Sequence, residues 1–327
     1  MGRSKRSTAS ARATNATHAQ RPRKHVTFRP IVPQLEHLLH TAIPVLDKGF
    51  VRVIDYMGDD AAVVQAARVS YGTGTKRIHD NRALIRYLMR HLHTTPFEMC
   101  EIKLHLRVPM DTWRQWIRHR TANVNEYSTR YSLAIDAAQR TQPDEWRRQS
   151  QDNRQGSDGN LSIEAGKRLS AAEGELQGRA RAVYEERIAA GIAREQARKD
   201  LPLSTYTEAY WKIDLHNLLN FLNLRMSDHA QQEIRAYANI IGKEVVARWT
   251  PITWEAFLDY RRNAMQLSNV EMKIVSALAT GDHAAAQNIA AQYGMLNRTP
   301  DGGLKSNRER KELELKLAML GLTPCWK

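Results

Sequence analysis

The sequence predicts an α+β fold in which a mostly antiparallel sheet is flanked by helices. Residues 99–108 alternate without a break: Cys100, Ile102, Leu104, Leu106 and Val108 on one side, Glu101, Lys103, His105 and Arg107 on the other. A strand with one apolar and one polar face belongs to an antiparallel sheet covered on one side. Segments before and after it carry apolar residues at helical spacing, so helices supply the cover. With 327 residues and 42% hydrophobic content, the chain can build a sizeable core.

In chain order, residues 1–35 hold Arg3, Lys5, Arg6, Arg12, Arg21, Arg23, Lys24 and Arg29 and no acidic residue. They supply eight of the formal net charge of +14 and leave +6 for the rest. A basic stretch rich in Ser, Thr and Ala buries too little apolar surface to offset its ordering entropy, so residues 1–40 are expected to be a disordered tail. Such a tail can touch nucleic acid nonspecifically or can simply aid solubility.

Phe50–Ile54 reads as a strand, and Asp59 as the cap of a helix to about Val69 with Val63, Ala66 and Ala67 on one face. GTGTKR, 72–77, makes a turn; its two glycines do not sit in a phosphate-binding frame. A helix over about Asn81–Leu92 places Leu84, Tyr87, Leu88, His91 and Leu92 on one side, and Pro96 ends it. After the alternating strand, closed by Pro109, a helix from about Asp111 carries Trp113, Trp116 and Ile117 inward. It delivers Arg118, His119 and Arg120 at its end.

Residues 139–160 are polar and read as a surface insertion within a main domain of 41–260. A helix of about Leu161–Ala190 follows, and LPLSTY (201–206) interrupts the pattern. Leu215, Leu218, Leu219 and Leu222 then fall at i, i+3, i+4 and i+7. Asp228 can start a helix to about Arg248. Residues 261–327 read as a helical extension with a capping box at Ser306 and Glu309 before Leu313, Leu317 and Leu320.

The composition excludes several classes. No run of about 18 apolar residues could span a bilayer, and no apolar leader is present, so a cytoplasmic protein without membrane contact is expected. Cys100 and Cys325 are the only cysteines, too few for a disulfide framework or a thiolate zinc site. His79, His91, His93, His105 and His119 lack the spacing of metal ligands, so no metal site is expected.

The densest polar stretch is RHRTANVNEYSTRYS, 118–132. The negative end of the preceding helix dipole favours cations there without any ligand. Alternatively, Arg118 and Arg120 grip phosphate. On a continuing helix they would point about 200° apart and serve different anions. With Asn125, Glu126 and Ser128 the cluster suits an amphoteric ligand such as a nucleotide. Ser128 has no His–Asp pair at a familiar spacing, so it reads as a ligand contact rather than a nucleophile.

This stretch resembles the signature of the flavin-dependent thymidylate synthases, RHR with seven residues before a Ser, here Ser128. ARVSYG (67–72), HTTPFE (93–98), LPLSTYT (201–207) and NFLNLRMSDHAQQEIR (220–235) are similar to further family blocks in the family's order. The likeness covers roughly 47–260, interrupted by the insertion.

The resemblance implies a flavin-dependent thymidylate synthase-like fold, a homotetramer with sites at subunit interfaces, and reductive methylation of dUMP. FAD would be the cofactor, with NADPH and methylenetetrahydrofolate as co-substrates. By the same resemblance Ser70, Thr95, Arg118, His119, Arg120, Glu126, Asn220 and His229 would contact FAD. Asp214 and His216 stand where some members have Asn and Arg near the flavin's adenosine. Gln115, Arg118, Glu126, Ser128, Arg130 and Arg198 would contact the nucleotide, and Arg225 would polarise the uracil as the catalytic residue. Physically, a guanidinium beside a uracil carbonyl stabilises charge spreading into the ring, so no cysteine nucleophile is required. Met99 stands where a His often follows PFE. The rival readings are a basic nucleic-acid-binding protein and a flavin-binding member without synthase activity.

Overall fold

A computed structural model describes residues 28–69, 80–150 and 156–326. The strands are β1 (Ala42–Val45), β2 (Gly49–Met57), β3 (Glu101–Pro109), β4 (Asn123–Glu126), β5 (Arg147–Gln149), β6 (Ser157–Asn160) and β7 (Tyr206–Asp214). Five of them form an antiparallel sheet in the order β1-β2-β3-β7-β4, while β5 and β6 make a separate two-stranded ribbon. The α+β architecture is therefore as expected. Ile102, Leu104, Leu106 and Val108 of β3 are fully buried, and Ala209, Trp211 and Ile213 of β7 continue their apolar face.

The helices begin with the short turn α1 (Pro33–Glu36), then α2 (Asp60–Arg68), α3 (Asn81–Arg90), the turn α4 (Thr95–Glu98) and α5 (Met110–Trp116). The long α6 (Ile163–Ala189) and the turn α7 (Arg194–Ala197) come next. They are followed by α8 (Leu215–Arg225), α9 (Gln232–Ile240), α10 (Ala247–Trp249) and α11 (Pro251–Phe257). Asp59 caps α2 by accepting from Ala62 N, as expected. All four leucines of the stripe on α8 are buried.

Several expectations need correction. Residues 29–40 are packed on the body rather than belonging to a disordered tail: Leu35 is buried, and Arg29 donates to Tyr56 O at 3.1 Å. Residues 1–27 lie outside the described residues, as do the turn at 72–77 and Ser70. The buried face of α3 is Leu84, Ile85, Leu88 and Met89, while Tyr87, His91 and Leu92 face outward. Pro96 does not end a region; it sits in the first turn of α4, where its missing N–H costs nothing. Ile117 is 43% exposed because α5 stops one residue earlier. Asp228 caps no helix, since α9 starts at Gln232 after Gln231. Between α9 and α10 the chain forms a π-helical stretch, Ile241–Val246.

The insertion at 139–160 carries the β5–β6 ribbon and is fastened to α6. Trp146 Nε1 donates to Ser170 Oγ at 3.0 Å, and Ser170 Oγ donates to Thr141 O at 2.7 Å. Residues after 268 build a second, smaller core from α12 (Asn269–Ala279), α13 (His283–Gln292) and α14 (Arg308–Met319), with Ile274, Leu313 and Leu317 buried. Here the capping box is Ser268 with Glu271, and α14 is capped by Asn307 rather than by the expected Ser306–Glu309 pair. Leu320 lies outside α14 and is exposed.

Candidate active site

Helices α5 and α8 meet around His119. Burial of Trp113 and Trp116 draws α5 onto the sheet, and the chain then leaves the helix at Ile117. Arg118, His119 and Arg120 therefore lie on irregular backbone, and the divergence expected of a continuing helix does not apply. On α8, Phe221 and Arg225 are one turn apart and share a face. The His119 ring packs edge-on against Phe221, with centroids 4.9 Å apart, while Arg225 Nε donates to His119 Nε2 at 3.0 Å. Arg225 Nη2 donates to Gln115 O at 3.3 Å, one of the carbonyls that the end of α5 leaves available.

Two consequences follow. Because Nε2 accepts, the His119 proton resides on Nδ1. Burial, together with the neighbouring Arg225 cation, pushes the His119 pKa down to about 4, so the ring is neutral at pH 7. Burial also lowers the Arg225 pKa, from a starting value so high that the group stays charged. Two of its N–H groups are committed to His119 and Gln115, which leaves three of the five for a ligand.

Gln115 extends this cluster, since its side-chain amide donates to Gln231 Oε1 and Gln231 Nε2 reaches Asp111 Oδ2 at 3.5 Å. Gln231 was not singled out from sequence, although it stands within the quoted block 220–235. Arg118 and Arg120 are exposed, and among the described residues neither has an ion-pair partner.

A second group gathers beyond β4. Glu126 ends that edge strand, and its Oε1 accepts from Thr207 Oγ1 at 2.9 Å. In the following turn Ser128 Oγ accepts from Arg130 N at 3.4 Å, and Arg130 pairs with Glu195 at 3.0 Å. Arg198 donates to Thr129 Oγ1. No base stands against Ser128 among the described residues.

A third group lies near α4. His216 and Asn220 are one turn apart on α8; Asn220 Nδ2 donates to His216 Nε2 at 3.1 Å, and Arg261 Nη2 donates to Asn220 Oδ1 at 3.1 Å. Arg261 gave no signal in the sequence. Asp214 caps α8, accepting from Asn217 N at 2.9 Å and Asn217 Nδ2 at 2.7 Å, so its oxygens already have protein donors. His229 is exposed between α8 and α9. Thr95, His93 and Met99 line a cleft of about 910 Å³ whose walls include Ala62, Ala66 and Leu84. Among the described residues no hydrogen bond joins these three groups directly to one another.

Together the groups mark a class of protein: an α+β scaffold carrying guanidinium groups, amides and the neutral His119 imidazole, a set chemically suited to an anion. The family model described as thymidylate synthase complementing protein matches residues 52–252, a span that runs through the β5–β6 ribbon. A flavin-dependent thymidylate synthase of Wolbachia pipientis wMel is 48% identical over 257 residues, covering 79% of this chain and 90% of that protein. One of Ruegeria pomeroyi is 52% identical over 254 residues, covering 76% of this chain and 84% of the relative. Among solved structures, the UMP/dUMP methylase PolB of Streptomyces cacaoi bound with 5-Br UMP superposes with a TM-score of 0.60. It is 32% identical and covers 67% of this chain and 98% of the other. The chain belongs to the thymidylate synthase complementing protein family, whose relatives here are flavin-dependent thymidylate synthases.

Proposed function

We propose that the chain methylates dUMP at carbon 5 to give dTMP, taking the one-carbon unit from methylenetetrahydrofolate and the reducing hydride from NADPH by way of FAD. The observation that carries this reading is the state of Arg225: a cation held from two sides by His119 Nε2 and Gln115 O, with three N–H groups left over.

The residues present suit a flavin. The 910 Å³ cleft is largely apolar with Gln65, Tyr87, His93 and Thr95 at its polar positions, a lining that accepts a flat heteroaromatic ring. Arg118 and Arg120, exposed and without ion pairs among the described residues, suit a diphosphate. FAD contacts are assigned to Ser70, Thr95, Arg118, His119, Arg120, Glu126, His216, Asn220 and His229; for Asp214 the capping role competes with that assignment. Bound flavin supplies the hydride chemistry that side chains lack.

The chain's own residues bind and polarise the nucleotide. Gln115, Arg118, Glu126, Ser128, Arg130 and Arg198 hold it. The free N–H groups of Arg225 face its uracil edge, stabilise charge drawn onto the ring oxygen and raise electron density at carbon 5. A neutral His119 suits this task, because an imidazolium would repel Arg225 and surrender the hydrogen bond that aims it. Carbon 5 then forms its new bond without a covalent link to the protein and gives up its proton.

A homotetramer with shared sites is part of this reading. It would bring groups that stand apart within one chain to the same ligand. No described helix is long and apolar enough to cross a membrane.

The test is direct. Purified protein should show flavin bands in the visible spectrum, release deuterium from 5-deuterated dUMP and form dTMP when folate and NADPH are supplied. A preparation that stays colourless with added FAD and releases no deuterium overturns the proposal.

A further inference from the structure

The β5–β6 ribbon does more than decorate the surface. Arg147, the first residue of β5, reaches across to α9, where Nη1 donates to Gln232 Oε1 at 2.6 Å and Nη2 donates to Glu233 Oε1 at 2.7 Å. The Arg147 and Glu233 side chains are 26% and 12% exposed, so the pair is partly shielded from solvent. An ion pair so placed holds its geometry more firmly than one fully in water, and removing one partner strands the other charge.

The two contacted residues are the first two of α9, and the preceding residue is Gln231, whose carbonyl amide oxygen receives the Gln115 side chain. The start of α9 has no side-chain cap, and Arg147 anchors its first turn from outside by gripping the Gln232 and Glu233 side chains. At its other side the ribbon is fixed to α6. Trp146 is tied to Ser170, and Thr141 N and Oγ1 donate to Glu173 at 2.8 and 3.0 Å; within the segment itself Leu161 N donates to Trp146 O at 2.8 Å and Asn160 Nδ2 to Asp144 O at 2.6 Å. A Cβ at Gly166 of α6 would overlap the Pro143 carbonyl, which shows how closely the segment lies on that helix. The ribbon is thus a brace between α6 and the first turn of α9.

We infer that Arg147 is a positioning residue for nucleotide binding: by fixing the Gln232–Glu233 turn it sets Gln231, and Gln231 orients the Gln115 amide toward the nucleotide. This deepens the proposed function and rests on Gln115 being a nucleotide contact. Neither Arg147 nor Glu233 touches a reacting atom, so their loss reports on orientation rather than on chemistry.

The experiment uses the full-length protein. Arg147→Ala is expected to raise the KM for dUMP by about tenfold, the scale of one misplaced hydrogen bond, with FAD content unchanged and a smaller effect on kcat. Glu233→Ala should raise it too, and the double variant should be no worse than Arg147→Ala, because that variant already loses the Glu233 contact. Arg147→Lys should recover part of the affinity. Where Arg147→Ala does not fold, Arg147→Lys and Glu233→Gln carry the same comparison. An unchanged KM for dUMP in a folded variant, or a fall in kcat and FAD content that merely follows lost stability, overturns the inference. So does a crystal structure of Arg147→Ala in which Gln231 still meets Gln115, whether or not the enzyme makes thymidylate. Failure of the wild-type protein to release deuterium would instead refute the functional reading itself.

Discussion

Arg225 Nε donates to His119 Nε2 at 3.0 Å, and this one hydrogen bond fixes the His119 tautomer and the orientation of the guanidinium. The planar guanidinium uses one edge on the protein and presents the other. Replacing it by Lys keeps the charge but loses the fork, since one ammonium cannot reach His119 and Gln115 O and still lie in the plane of a uracil. Arg225→Lys should lower kcat/KM by about 10²–10³, the scale of losing one preorganised donor, while FAD stays bound. Deuterium release from 5-deuterated dUMP and the visible spectrum measure the two halves separately. Full release in the variant would remove Arg225 from the chemistry.

His119 gives a pH dependence with a definite sign. Its pKa falls from 6.5 to about 4 in the folded protein, by burial first and the Arg225 charge second. The unfolded chain therefore takes up this proton first, and the folded state loses relative stability as pH falls from about 6.5 through 4. Above pH 6.5 the group contributes no slope. Nitrogen-15 spectra of the imidazole should show a neutral ring protonated on Nδ1 at pH 5, and His119→Asn should flatten the denaturation slope between pH 6.5 and 4. An imidazolium signal at pH 6 would contradict the placement.

How much of this was readable depends on the kind of signal each residue carries. β3 announced itself because its alternation is uninterrupted, and α8 because four leucines mark one face. β7 went unnoticed even though Ala209, Trp211 and Ile213 alternate, since Tyr206 and Thr207 are both buried at its start and the preceding LPLSTY reads as a break. β4 has four exposed residues and no apolar face to detect. β1 contains Pro44, which is tolerated there because the strand is at the edge of the sheet. Among the candidate site residues and their supports, RHR and Arg225 stood out through motif order. Arg147 and Arg261 were not, because their partners lie 86 and 41 residues away and no local pattern encodes such pairings.

The cysteines offer a further check on the route. Burial pushes the Cys100 thiol up to about 12, and its Sγ contacts Asp59 O at 3.5 Å, so it carries no thiolate at neutral pH. Cys325 lies in the separate C-terminal core and its pKa is also raised by burial. A Cys100→Ala, Cys325→Ala protein should keep deuterium release within about twofold of wild type, losing on the order of 1 kcal/mol of stability from the cavity at Cys100. Loss of release in a folded double variant would restore a covalent route.

Gly49 tests how the sheet holds α9, the helix that follows Gln231. It opens β2 opposite Val45 in the first hairpin, and the Tyr237 hydroxyl of α9 passes directly over it to donate to Arg107 O at 2.6 Å. A Cβ at position 49 would overlap that hydroxyl and come within 2.7 Å of Val45 O and 2.9 Å of Arg107 O. Two of those three neighbours are backbone atoms paired in the sheet, so the hydroxyl must yield, leaving a buried donor and acceptor apart. Overpacking costs about 1–3 kcal/mol and the orphaned pair a similar amount. Gly49→Ala should therefore destabilise the protein by about 2–5 kcal/mol in urea unfolding. Tyr237→Phe in the same chain should return part of that loss, because it removes the overlapping oxygen. Gly178→Ala on α6, where a Cβ meets nothing within 4 Å, is the control, and it should be neutral or stabilising by up to about 1 kcal/mol from helix propensity. If Gly49→Ala matched that control, Tyr237 would not be the strut that seats α9 on the sheet.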